Sequence, residues 1–145
     1  VGSTRTDTNS SFILCQFSTP YAVAGALMDG EVGLKQLRQE RIRDPRIHEL
    51  GLKVKVIADP ELQKMYPATR PAIMEITTKD GKRYTGRIDY AKGDYRKPMT
   101  EEELVAKFLR LTKDVIGETK GKKVIDTVLD MENLDTSTRL IEFLH

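Results

Sequence analysis

The chain has 145 residues, of which 39% are hydrophobic and 32% charged, enough apolar material to bury one core beneath a well-solvated surface. Its formal net charge of +2 argues against bulk capture of nucleic acid, and no apolar run approaches the ~20 residues that span a bilayer. A single cysteine, Cys15, excludes an internal disulfide and points to a reducing, cytoplasmic setting.

Residues 1–11 read VGSTRTDTNSS. This run is polar, has no apolar stretch of the kind a signal peptide needs, and is expected to be a flexible leader to one domain spanning residues 12–145. The first strong element follows in FSTPYAVAGALMDG. Thr19 suits an N-cap, Pro20 the first helical position and Gly30 the left-handed position beyond the end, so a helix is expected over 20–29. Its residues from Tyr21 to Met28 are all apolar, alanine or glycine. A helix without a polar face belongs in an interior larger than a short chain supplies by itself. Cys15, beside Phe17, reads as a small buried hydrophobe.

Asp44-Pro45 starts a second short helix that ends near Gly51 and contains His48, which reads as a surface or boundary histidine. Leu52, Val54 and Val56 alternate with lysines and are expected to form a half-buried strand, closed by Asp59-Pro60. After a proline-marked connection, AIMEITTKDGKRYTGRIDY predicts a hairpin turning at Asp80-Gly81. Ala72, Met74 and Ile76 would line one face, and across the turn Tyr84, Gly86 and Ile88 share a face. Together with the Leu52–Ile57 strand this makes at least three strands.

Thr100 and Glu103 form a capping-box pattern, with Glu101 and Glu102 favourable in the first turn. Leu104, Val105, Phe108, Leu111 and Val115 recur at helical spacing. A further helix is expected over residues 122–131 and a short one over 138–144, with Leu140, Ile141 and Leu144 on one face. These stripes read as core faces. The class is α+β: a small, mostly antiparallel sheet with helices packed on one side, a two-layer sandwich.

Chemistry is sparse. The chain has no phosphate-binding glycine loop, no paired cysteines for zinc, and none of the common hydrolase or metalloprotease motifs. No metal is implied. With one cysteine and one internal histidine, a nucleophile–base pair is not expected. Residues 79–97 carry a net +4 and residues 99–145 a net −3. The basic tip suits a small anion, but a solvated surface is the favoured reading. Its tyrosines lack the pattern of an RNA-binding sheet.

The order of segments resembles the MmgE/PrpD family, which includes 2-methylcitrate dehydratase, cis-aconitate decarboxylase and iminodisuccinate epimerase. FSTPYAVAGALMDGEVGL, DPRIHELGLKVKVIAD, the Lys-Asp-Gly hairpin and GDYRKPMTEEELVAKF carry the likeness, over residues 12–145. The resemblance implies the smaller, C-terminal domain of a two-domain protein, with a helical N-terminal domain as its missing partner. The helix over 20–29 would then lie at the seam between them.

It further implies a cofactor-independent lyase or isomerase acting on a small di- or tricarboxylate: a dehydratase, decarboxylase or epimerase working by proton abstraction next to a carboxylate. A homodimer is expected, with no nucleic-acid or membrane partner. The family's catalytic residues lie upstream, and His48 does not match them, so no catalytic residue is assigned here and the chain alone is expected to be inactive. Tyr21 aligns with a tyrosine lining the family's substrate cleft. Ser18 and Gln16 are weaker cleft candidates, and Arg96 and Lys97 lie in a loop similar to the family's. Two other readings stand beside this one: a stand-alone module that binds a small anion or a partner without catalysis, and an RNA-associated domain using the basic tip.

Overall fold

A computed structural model describes residues 2–136 and 138–142. The chain divides into two compact units, Val1–Gln63 and Lys64–His145. The α+β class is what is found: helices accompany one two-stranded antiparallel sheet among the described residues.

The first unit is helical. It contains α1 (Phe12–Gln16), α2 (Thr19–Asp29), a 3₁₀ turn at Leu34–Leu37, α3 (Gln39–Ile42) and α4 (Pro45–Gly51), followed by α5 (Pro60–Lys64) at its boundary. The N-cap of α2 is Ser18 rather than Thr19: the Ser18 hydroxyl accepts from the Tyr21 N–H. Thr19 is already helical, which moves Pro20 one position inward, where its missing N–H still costs nothing. Gly30 ends the helix at φ 76°, a conformation open to glycine without a Cβ clash.

Cys15, Tyr21, Ala24, Ile42 and Ile47 form the core, with Leu37 and Leu50 packed against it. Each fully buried isoleucine contributes about 1.5–3 kcal/mol. The polar stretch before α1 lies on this unit through contacts from Gly2, Thr4 and Thr6. The Thr19 N–H donates to the Gly2 carbonyl at 2.9 Å, the Ser18 hydroxyl to the Thr4 carbonyl at 2.5 Å, and Thr6 Oγ1 pairs with His48 Nδ1 at 2.9 Å.

The expected strand over Leu52–Ile57 is not formed. α4 runs to Gly51, Leu52 caps it, and the chain continues without ladder bonds. Leu52, Val56 and Ile57 are exposed, Ile57 by 80%. Alternation alone does not make a strand; it needs an edge to pair with and a face to bury.

In the second unit the expected hairpin is formed: β1 (Ala72–Thr77) pairs with β2 (Arg83–Ile88), with Ala72 opposite Ile88, Met74 opposite Gly86 and Ile76 opposite Tyr84. The turn closes through Thr78 N–H to the Lys82 carbonyl and Gly81 N–H to the Thr78 carbonyl. Nearly every strand residue is exposed, so the apolar face of Met74, Tyr84 and Ile88 is uncovered.

α6 (Glu101–Leu129) starts with the full capping box of Thr100 and Glu103. It breaks at Gly117, where φ 78° and ψ 161° interrupt the helix in a region open only to glycine. The second half folds back so that Gly121 sits against Leu109, Thr112 and Phe108. That close approach selects the packing face. Phe108, Leu109 and Val124 lie on or near it, while Leu104, Leu111 and Val115, expected in the core, stay exposed. A 3₁₀ turn at Met131–Asn133 and α7 (Thr138–Glu142) complete the described chain. Leu144 lies outside the described residues.

Candidate functional site

Of the residues singled out from sequence, Ser18 and Tyr21 come together at the first turn of α2. Ser18 is 1% exposed and does two jobs with one hydroxyl, accepting from the Tyr21 N–H and donating to the Thr4 carbonyl. Tyr21 is also 1% exposed, and its hydroxyl donates to the Gln36 carbonyl at 2.5 Å. Burial, the largest cause, pushes the phenol up to about 12, so Tyr21 is a neutral hydrogen-bond donor throughout the physiological range. The phenolic oxygen keeps its lone pairs. Gln16, the last residue of α1, is exposed.

His48 is buried, contrary to its reading as a surface or boundary residue, and its ring lies 5.5 Å from that of Tyr21. Nε2 faces the Ile42 carbonyl at 2.6 Å. A carbonyl only accepts, so Nε2 donates to Ile42, while Nδ1 is held by the Thr6 hydroxyl. Both nitrogens are occupied, an arrangement that orients α4 against α3 rather than one poised to take a proton from a substrate. Burial, ahead of the nearby Asp7 carboxylate, raises the Cys15 thiol above its usual range, leaving it protonated and inert.

Around the Tyr21 hydroxyl runs a polar network that sequence reading did not find. Gln36 Nε2 donates to Asp29 Oδ2 at 3.0 Å. Arg41 grips Asp29 through Nη2 to Oδ1 at 2.7 Å and Nε to Oδ2 at 3.2 Å, and reaches Asp44 through Nη1 at 2.6 Å. Asp44 also caps α4 and pairs with Arg46, whose hydrogen bonds hold its carboxyl well below the usual range. The Arg41–Asp44 spacing was visible as i,i+3, but Arg41 meets Asp29 only once α2 and α3 are packed.

Arg96 and Lys97 belong to the second unit and serve its loop. Arg96 Nε and Nη2 grip Asp94 at 2.9 and 3.0 Å, and Nη1 donates to the Ala68 carbonyl at 2.8 Å. Its guanidinium lies 4.1 Å from the Tyr90 ring centroid and 4.7 Å from that of Tyr95. The bonds from Arg96 hold Asp94 down at about 2. Lys97 closes the same turn with its backbone, donating to the Asp94 carbonyl and accepting from the Gly93 N–H. A shallow depression in this unit is lined by Asp126, Thr127, Asp130, Leu134, Arg139 and Glu142, and its carboxylates disfavour an acidic ligand. Among the described residues no cluster of His, Cys, Asp or Glu could hold a metal ion, and no helix is long and apolar enough to cross a membrane.

Residues 2–133 match the MmgE/PrpD C-terminal domain. The chain is 28% identical over 127 residues to the cis-aconitate decarboxylase of Mus musculus, covering 88% of this chain and 26% of that protein. It is 27% identical over the same length to the cis-aconitate decarboxylase of Homo sapiens. The cis-aconitate decarboxylase of Aspergillus terreus is 26% identical over 137 residues, covering 93% of this chain and 28% of the relative. The chain thus spans about a quarter of the length of the relatives it matches.

Proposed function

The chain belongs to the MmgE/PrpD family, corresponding to its C-terminal domain, and from that premise we propose that it is the smaller domain of a cofactor-independent lyase or isomerase acting on a small di- or tricarboxylate. Decarboxylation is the reaction that the matched relatives' names support; dehydration and epimerisation remain within the same chemistry. Dehydration and epimerisation begin with removal of a proton next to a carboxylate, whereas decarboxylation breaks the bond to CO2 and the carbon left with the electron pair takes up a proton; each needs an acid–base group and groups that hold the developing charge. Our reading gives the base to an N-terminal helical domain of the longer protein and the holding role, in part, to this chain.

The observation that carries the assignment is the family match over residues 2–133. The first turn of α2 brings the two candidates for the holding role together, the neutral phenol of Tyr21 and the capping hydroxyl of Ser18, while its Thr19 and Tyr21 N–H groups are taken by the Gly2 carbonyl and by Ser18. Phe12, Ile13, Phe17 and Leu27 on α1 and α2 are exposed by 45, 65, 59 and 49%. Apolar surface of this kind beside the candidate residues is what a seam with a second domain would cover. The longer enzyme is proposed to work as a homodimer in the cytoplasm.

The test is Tyr21→Phe in the longer protein. Loss of one hydrogen bond to charged substrate lowers kcat/KM about tenfold or more, with folding checked by circular dichroism. Unchanged kinetics in a folded variant would remove Tyr21 from the substrate site and leave it as core.

A further inference from the structure

Tyr21 can meet a substrate only if something moves, because its hydroxyl is sealed against the Gln36 carbonyl. What seals it is the Leu34–Leu37 turn. That turn is thinly anchored: Leu34 and Lys35 are exposed, and only Leu37 adds partly buried apolar surface to the core. Gln36 is buried by polar bonds instead. Its Oε1 accepts from the Gly33 N–H at 2.9 Å and its Nε2 donates to Asp29. Asp29 is fixed by Arg41, whose third contact is Asp44 at the start of α4. Water reaches these bonds, since the side chains of Arg41 and Asp29 are 18% and 26% exposed.

We infer that the Leu34–Leu37 turn is a cover over the Tyr21 hydroxyl, latched by Gln36, Asp29 and Arg41, and that it opens without unfolding the core of Ile42 and Ile47. The inference rests on the reading of Tyr21 as the substrate-facing phenol. Opening removes one partly buried leucine from the core and breaks bonds that water can replace, so it belongs to the low-energy class of local openings. It uncovers the Tyr21 hydroxyl, a neutral donor from which a carboxylate of a di- or tricarboxylate ligand can accept. Arg41 is here a positioning residue: it acts on Tyr21 through Asp29 and Gln36.

Amide hydrogen exchange on the 145-residue chain tests the cover. The Gly33 and Arg38 amides, bonded to the Gln36 side chain and the Lys35 carbonyl, should exchange at least about tenfold faster than those of Ala24 and Gly25 in α2. Arg41→Met should speed Arg38 exchange about tenfold further while leaving α2 unchanged, and should hasten nitration of Tyr21 read by peptide mapping. Gln36→Met, which keeps all charges, should do the same for Arg38. Turn amides that exchange at the α2 rate in the unsubstituted chain would overturn the inference, whether or not either variant folds. The result is separable from the kinetic test: a fast-opening turn with unchanged Tyr21→Phe kinetics would leave the cover intact and remove its substrate.

Discussion

The two units handle apolar surface in opposite ways. The first encloses Cys15, Tyr21, Ala24, Ile42 and Ile47, and satisfies the polar groups it buries: Ser18, Gln36 and His48 all have partners. The second buries Gly121 and Val124 among its described residues and leaves Met74, Tyr84, Ile88, Leu104 and Val115 in the open. Both carry the local signals of folded protein, capped helices in one and a well-registered hairpin in the other. Local signals determine elements, whereas enclosure determines stability, and among the described residues the first unit encloses a core even though its Phe12, Ile13, Phe17 and Leu27 stay exposed.

The largest expected effect sharpens that contrast. Ile47→Ala should cost about 2–5 kcal/mol, because Ile47 is wholly buried and its neighbours close only partly over the space left. Ile88→Ala, at a position 55% exposed, should cost less than about 0.5 kcal/mol in this chain and more in the longer protein if that face is covered there. Chemical denaturation of both variants in both contexts checks this. Equal costs for the two substitutions in the chain alone would break the comparison.

A smaller effect lies in the second unit. Thr100→Ala should lower stability by about 1 kcal/mol by removing the acceptor for the Glu103 N–H, visible as loss of helicity at a lower denaturant concentration. The smallest is a pH effect at Asp94. Its folded value is lowered from 3.8 to about 2, so its contribution is present above 3.8 and is lost as pH falls towards 2. The stability difference between the chain and Asp94→Asn should therefore be constant above pH 4 and shrink between 3.8 and about 2. A difference that persists below pH 2 would mean that the Arg96 pairing is not its source.

What was legible in the sequence follows the same division between local and enclosed. Gly30, the capping box at Thr100 and the Asp80-Gly81 turn act through bonds a few residues long, and each stands as expected. The same short-range logic misplaced one cap by a residue, because Ser18 and Thr19 are both capping types and only the Thr4 carbonyl and the Tyr21 N–H distinguish them. The Leu52–Ile57 strand failed because a strand is made by its partner. The apolar stripe on α6 was read from spacing, yet the close contact at Gly121 kept only part of it: Phe108 packs there beside Leu109, while Leu104, Leu111 and Val115 stay exposed.

At the candidate site Tyr21 and Ser18 were reached through family resemblance, while of the Gln36–Asp29–Arg41–Asp44 network only the i,i+3 spacing of Arg41 and Asp44 is legible in the sequence. Its members come from α2, the 3₁₀ turn, α3 and the α4 cap, and nothing short of the packed fold unites them.

Comparing turnover by the longer protein with turnover by the 145 residues alone tests the central claim most directly. Each would be offered a panel of small di- and tricarboxylates that includes cis-aconitate, with metal ions chelated and CO2 release, water loss and epimerisation all followed. The account predicts conversion of at least one acid by the longer protein and none by the chain alone. Equal turnover by the chain, or no conversion of any acid by a folded longer protein, would contradict it.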